Sequence, residues 1–269
     1  MKKLGFWPLG QGVPFHMVTQ SPWPFISAFS GFFFMVGLVN WMHYFSMKMI
    51  SLGVLLIAMM FFFWCRDLIR ESVYQGFHTI VVIGNLRLGF LMFILSEVMF
   101  FFSFFWGFFH SSLSSSINTG CQWPPFMIIP LNFMSTPLLN TIILISSGAT
   151  VTLCHVMIRN KKIFMSSVFL MMTVTLGVIF SLLQLKEYLE CPFSMSDSVY
   201  GSCFFMMTGF HGGHVLIGSI FLLFQYYRVV KNHFFSFHHF GLDAAIWYWH
   251  FVDVVWLFLY SCLYVWGAN

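Results

Sequence analysis

The sequence predicts an all-α membrane protein with seven transmembrane helices, on three observations. Charged residues make up 7% of the 269 positions and hydrophobic ones 59%, whereas a soluble domain carries roughly 25% charge. Lipid is therefore the expected outer solvent, because so few charged side chains cannot cover a core of this size in water. The uncharged stretches are also long, running from Lys3 to Lys48, Glu97 to Arg159, Lys162 to Lys186 and Asp197 to Arg228. Finally, ten of the 12 Lys and Arg residues fall in every second connection, on one side of the apolar segments.

A crossing needs about 20 mostly apolar residues. Dividing the long runs at their Pro, Gly, Ser and Asn clusters places crossings near 25–45, 49–69, 80–110, 136–158, 163–186, 198–228 and 240–266, all within a single polytopic domain spanning 1–269. Ser21-Pro22-Trp23-Pro24 cannot continue a helix, so it introduces the first crossing with an interfacial Trp. The longest connection, from Ser111 to Pro137, holds Trp123-Pro124-Pro125 and no charge. It is expected to lie against the membrane surface or a partner.

Orientation follows from the positive-inside rule. With the N-terminus inside, the inner segments hold Lys2, Lys3, Arg66, Arg70, Arg87, Arg159, Lys161, Lys162, Arg228 and Lys231, and only Lys48 and Lys186 fall outside. The connection around Lys186 also carries Glu187, Glu190 and Asp197, the opposite bias. There is no cleavable presequence pattern, so the chain is expected to keep its own start. The 38 Phe and 19 Met residues are an unusual filling for apolar helices and suggest an organelle-type gene. The six cysteines form no CxxC pair and read as small buried hydrophobes.

Glu97 is the most informative single residue, because it sits in Ser96-Glu97-Val98-Met99 with apolar neighbours on every helical face. A charge is costly there, so the carboxyl is expected to be neutral or to find a polar partner inside the bundle. It is either a proton site or a hydrogen-bonded acid that fixes packing, and the lack of a second titratable group one turn away favours packing. His250 and Asp253 form an i,i+3 pair, as do His211 and His214, and both pairs are expected on one helix face. No metal site is expected, since no HExxH or Cys-His cluster accompanies them. Gly209 and Gly213 make a GxxxG step that argues for close helix packing.

The inner cluster Arg66-Asp67-Leu68-Ile69-Arg70-Glu71, with His78, is the densest charge, and Arg228, Lys231 and His233 mark another inner boundary. Topology explains such residues; so does binding of phospholipid headgroups. Gly-rich phosphate loops, a nucleophile elbow and a basic stripe suited to nucleic acid are all missing, which leaves no catalytic constellation. An independent proton channel or secondary transporter using Glu97 is the alternative class.

Several ordered strings then point one way. Pro14-Phe15-His16-Met17-Val18, Arg70-Glu71-Ser72, Tyr74-Gln75-Gly76, His110-Ser111-Ser112-Leu113, Pro137-Leu138-Leu139-Asn140-Thr141, Gly209-Phe210-His211-Gly212 and His238-His239-Phe240-Gly241 precede the most specific block, Trp247-Tyr248-Trp249-His250-Phe251-Val252-Asp253-Val254-Val255-Trp256-Leu257. With them the chain closely resembles the cytochrome c oxidase subunit III family of mitochondrial aa3-type haem-copper oxidases.

The resemblance implies two bundles, helices 1-2 and 3-7, with a lipid-filled V-shaped cleft. It also implies a non-catalytic core subunit that binds no cofactor itself and works beside subunit I, subunit II and accessory subunits, with haem and copper in those partners. Glu97 corresponds to the family's buried carboxyl, and Arg70, His78, Arg228, Lys231 and His233 fall where headgroups of cardiolipin, phosphatidylethanolamine or phosphatidylglycerol are held. The implied location is the mitochondrial inner membrane, with the N-terminus in the matrix and the C-terminus in the intermembrane space. The chain departs from the family pattern in a longer segment before Pro14, in Phe77 where many relatives carry histidine, and in Ser114-Ser115-Ser116 where proline is common.

Overall fold

The computed structural model describes residues 14–117, 120–126, 128–236 and 238–268, so Lys2 and Lys3 of the inner basic set lie outside the described residues. Among the described residues, seven helices are long and apolar enough to cross a membrane. They are α1 (Trp23–Tyr44), α2 (Lys48–Ile69), α3 (Ile80–Leu113), α4 (Thr136–Arg159), α5 (Ile163–Glu190), α6 (Val199–Val230) and α7 (Phe240–Leu259). A π-helical turn, Arg70–Tyr74, prolongs α2, and another, Tyr260–Trp266, prolongs α7.

Local chemistry sets the ends. Pro22 precedes α1 and Pro24 lies in its first turn, where a missing N–H costs nothing. Phe45 closes α1 in the left-handed region at φ 52°, its N–H donating to the Trp41 carbonyl. The Ser198 side chain caps α6 by accepting from the Gly201 N–H.

Contacts divide the chain into two compact units, 1–86 and 87–269. In the first, α1 packs on α2 through small residues. A Cβ on Gly53 would lie 2.6 Å from Phe34 Cα, and one on Gly37 would collide with the Ile50 backbone. The Trp23 indole N–H donates to Asp67 Oδ2 at 2.7 Å, tying the start of α1 to the end of α2.

In the second unit α7 is the central element: half of its apolar window is buried, against 6% for α3. Trp249 fills a notch made by Gly177 of α5 and Gly218 of α6, where added Cβ atoms would stand 2.7 and 3.0 Å from its ring. Its indole N–H donates to Ser147 Oγ of α4 at 2.8 Å, and one turn pair further on Trp256 donates to Thr141 Oγ1 at 3.0 Å. Each large ring thus brings its own polar atom to a partner, which burial in hydrocarbon requires.

Three expectations change. The GxxxG step is not a close approach: a Cβ on Gly213 would meet nothing within 4 Å, and one on Gly209 only the Tyr188 hydroxyl at 4.0 Å. Gly177 and Gly218 perform that task instead, because they face the Trp249 ring of α7. Glu187 is not part of an outer loop, since α5 runs on to Glu190 and leaves Glu187 2% exposed. The cysteines are free but not uniformly interior, with Cys154 buried and Cys121 exposed.

Because the α1–α2 contact relies on Gly53, Gly53→Leu should lower stability by about 1–3 kcal/mol through overpacking. Gly31→Leu, where a Cβ meets nothing within 4 Å, should stay within about 0.5 kcal/mol of the parent. Thermal unfolding of the detergent-purified protein measures both.

Candidate functional site

The apolar stretch of α3 carries its one acid to a partner on α6. Glu97 Oε2 lies 2.9 Å from His214 Nε2, with the two side chains 23% and 13% exposed. His214 Nδ1 sits 2.7 Å from the Phe210 carbonyl, four residues back on the same helix. A carbonyl only accepts, so Nδ1 carries a hydrogen. In a neutral ring Nε2 is then a bare lone pair facing the Glu97 carboxyl. The rings of Phe100, Phe101, Tyr248 and Phe251 surround the imidazole at 5.1–6.3 Å. The second titratable group missing one turn away on α3 is thus supplied across the bundle.

This also corrects the expected partnership of His211 with His214. His211 is buried against Phe180 and Trp256, and its Nε2 meets the Val252 carbonyl of α7 at 3.2 Å. The i,i+3 spacing puts both residues on α6, but each has a nearer partner on another helix. His250 and Asp253 do approach each other, Nδ1 to Oδ2 at 3.6 Å. Asp253 fits because α4 has glycine opposite: a Cβ on Gly148 would fall 2.5 Å from Asp253 Oδ2.

The five residues of the basic rim fall into two groups, one per unit. Arg70 and His78 both line a recess of about 660 Å³ in the first unit, together with His16, Trp23 and Asp67. Arg70 Nη1 stands 3.8 Å from Asp67 Oδ1 and is more than half exposed, so its charge is only partly committed. In the second unit Arg228 is buried, donating to Gln225 Oε1 at 3.2 Å with its guanidinium 4.3 Å from the centre of the Phe234 ring. Lys231 lies over Tyr227 at 5.8 Å. Burial, then the positive charges of Arg228 and Lys231, hold His233 below the usual imidazole range.

Two further clusters were not found in the sequence. Glu187 Oε1 accepts from the Tyr264 hydroxyl at 2.6 Å and from Gln184 at 3.3 Å, and Oε2 accepts from Thr136 at 3.4 Å. Asp243 meets His155 at 3.1 Å, His239 at 3.4 Å and Arg87 at 3.3 Å. The His239–Asp243 pair has a readable i,i+4 spacing. Its third member does not, since His155 is brought in from another helix.

Comparison with known proteins decides the family. The sequence profile described as cytochrome c oxidase subunit III matches residues 13–268. The chain belongs to the cytochrome c oxidase subunit III family. Cytochrome c oxidase subunit 3 of Heterololigo bleekeri is 51% identical over 255 residues, covering 95% of this chain and 98% of that protein. The Ceratotherium simum protein is 51% identical over 256 residues, covering 94% and 97%. That of Drosophila melanogaster is 51% identical over 255 residues, covering 95% and 97%. As a member of the subunit III family, the chain is a multi-pass membrane component of a terminal oxidase, in complex with other oxidase subunits.

Within this subunit, removing His214 leaves a carboxyl in the spanning region without its partner. His214→Ala should therefore cost about 1–3 kcal/mol, whereas Glu97→Gln, which donates an N–H to the bare Nε2, should cost less. The temperature at which the subunit unfolds from purified oxidase ranks the two variants.

Proposed function

We propose that this chain is the non-catalytic core subunit of a proton-pumping respiratory oxidase that passes electrons from cytochrome c to O₂. Its place is the mitochondrial inner membrane, N-terminus in the matrix and C-terminus in the intermembrane space, against subunits I and II and their accessory subunits. Haem and copper reside in those partners. The end-to-end match to subunit III proteins carries this reading, and the alternating basic residues support the orientation.

Three contributions follow from this placement. The apolar, Phe-rich helices admit O₂, which partitions into hydrocarbon rather than water. The basic rim holds phospholipid headgroups: Arg70 and His78 line a recess, while Lys231 adds a positive charge at the end of α6. The third contribution is to proton uptake by the neighbouring subunit, which the Glu97–His214 pair keeps fast by holding one mobile proton in an aromatic surround.

An independent proton channel would use the same pair, so the roles must be separated by purification. The chain should co-purify with haem-bearing partners and carry no haem of its own. Oxidase depleted of it should keep its haem spectrum and initial turnover but inactivate after fewer turnovers. Unchanged durability would reduce the chain to an assembly element, and proton flux through the purified chain in vesicles would favour the channel.

The lipid role has its own readout. Arg70→Ala and Lys231→Ala should each reduce the phospholipid retained per oxidase, as counted by native mass spectrometry in mild detergent. Retention equal to the parent would remove headgroup binding from these residues.

A further inference from the structure

Where α4 ends and α7 begins, three donor atoms converge. His155 comes from the last two turns of α4, His239 immediately precedes α7, and Asp243 lies in the first turn of α7. One ligand atom from each lies within 4.8 Å of the other two. Asp243 Oδ1 is 3.1 Å from His155 Nε2 and 3.4 Å from His239 Nε2. Bonds of about 2.0–2.1 Å around a tetrahedral ion separate its ligands by about 3.3–3.4 Å, so the two carboxylate–imidazole spacings already fit, and the two imidazole nitrogens stand within 4.8 Å of each other.

The hydrogen-bond inventory points the same way. His239 Nδ1 is 3.1 Å from the Phe235 carbonyl, so it carries the hydrogen, and a neutral ring turns a bare Nε2 toward the carboxylate. Two acceptors facing each other at 3.4 Å repel unless a proton or a metal cation lies between them. His155 Nε2 and Asp243 Oδ1 are both buried and neither has an aligned hydrogen bond. The other carboxylate oxygen, Oδ2, accepts from the half-exposed Arg87 guanidinium at 3.3 Å. A histidine whose second nitrogen donates to a carbonyl, and a carboxylate whose second oxygen is held by a donor, are the outer-shell supports that metal ligands need.

We propose that His155, His239 and Asp243 bind a divalent transition-metal ion of the zinc type, with the fourth position open to water. Two imidazoles and a carboxylate suit zinc better than calcium or magnesium, which take oxygen ligands. The ion replaces the proton that an imidazolium–carboxylate pair would otherwise share, so binding releases protons.

The test uses purified intact oxidase, freed of loosely held metal by a chelator and then equilibrated with Zn²⁺ alone. Zinc per haem is counted for the parent, for His155→Gln and for Asp243→Asn. Both variants should hold one zinc fewer per oxidase, whereas Arg87→Gln, which keeps all three ligands, should retain that zinc with affinity about 10-fold weaker. Equal zinc in the parent and both ligand variants overturns the proposal. If the ligand variants fail to assemble, an anomalous difference map of the parent at the zinc edge decides. A peak among the three donors supports the site, and its absence after zinc equilibration overturns it.

Discussion

In hydrocarbon a polar atom has no water to fall back on, so every one of them must be answered by the chain itself. The arrangement of 87–269 follows from how α7 meets that demand. Lipid tails are as apolar as leucine, so burying Phe and Leu gives helices little reason to associate; close fit and interhelical hydrogen bonds must do it. Trp249 shows both at once, pressed into the notch of Gly177 and Gly218 while its N–H reaches Ser147. Trp256 repeats the bond with Thr141, and the Val252 carbonyl meets the His211 ring from α6. These bonds tie α7 to α4 and α6 in one register, and a slip of one residue would strand all of them.

The same demand explains which features the sequence made legible. Seven long apolar runs, cut by proline and basic residues, are one-dimensional signals, and they map directly onto seven helices. Pro22 and Pro24 announce the start of α1, and the charge at Arg66–Asp67 announces the end of the apolar part of α2. The cost of Glu97 in an apolar stretch was equally readable, because it depends only on its own neighbours along α3. The identity of its partner was not, because His214 is 117 residues away and reaches it only through the packing of α6 on α3.

Local spacing also misled where several partners competed. His211 and His214 share a helix face, but a carbonyl exposed by α7 and a carboxyl from α3 each outbid the other imidazole. The GxxxG step marked a place where a helix could approach, and the approaching ring came one turn later, at Gly218. Glu187 looked like a loop charge because Lys186 and Glu190 flank it, and those two do pair with each other at 3.6 Å. The helical period then carries Glu187 inward while its neighbours stay outside.

Two acids of the second unit, Glu187 buried and Glu97 half-buried, differ in what surrounds them. Glu187 is met by a phenol, an amide and a hydroxyl, none of which gives up a proton near neutral pH, so its network has one stable arrangement. It fixes the end of α5 against Tyr264 at the end of the chain. Glu97 is met by an imidazole, the one side chain whose ordinary affinity for protons lies near neutrality. The pair is half-buried, at 23% and 13% exposure, where Glu187 is 2% exposed. Glu187 therefore fixes packing within the end of α5, whereas Glu97 ties α3 to α6 through a single imidazole.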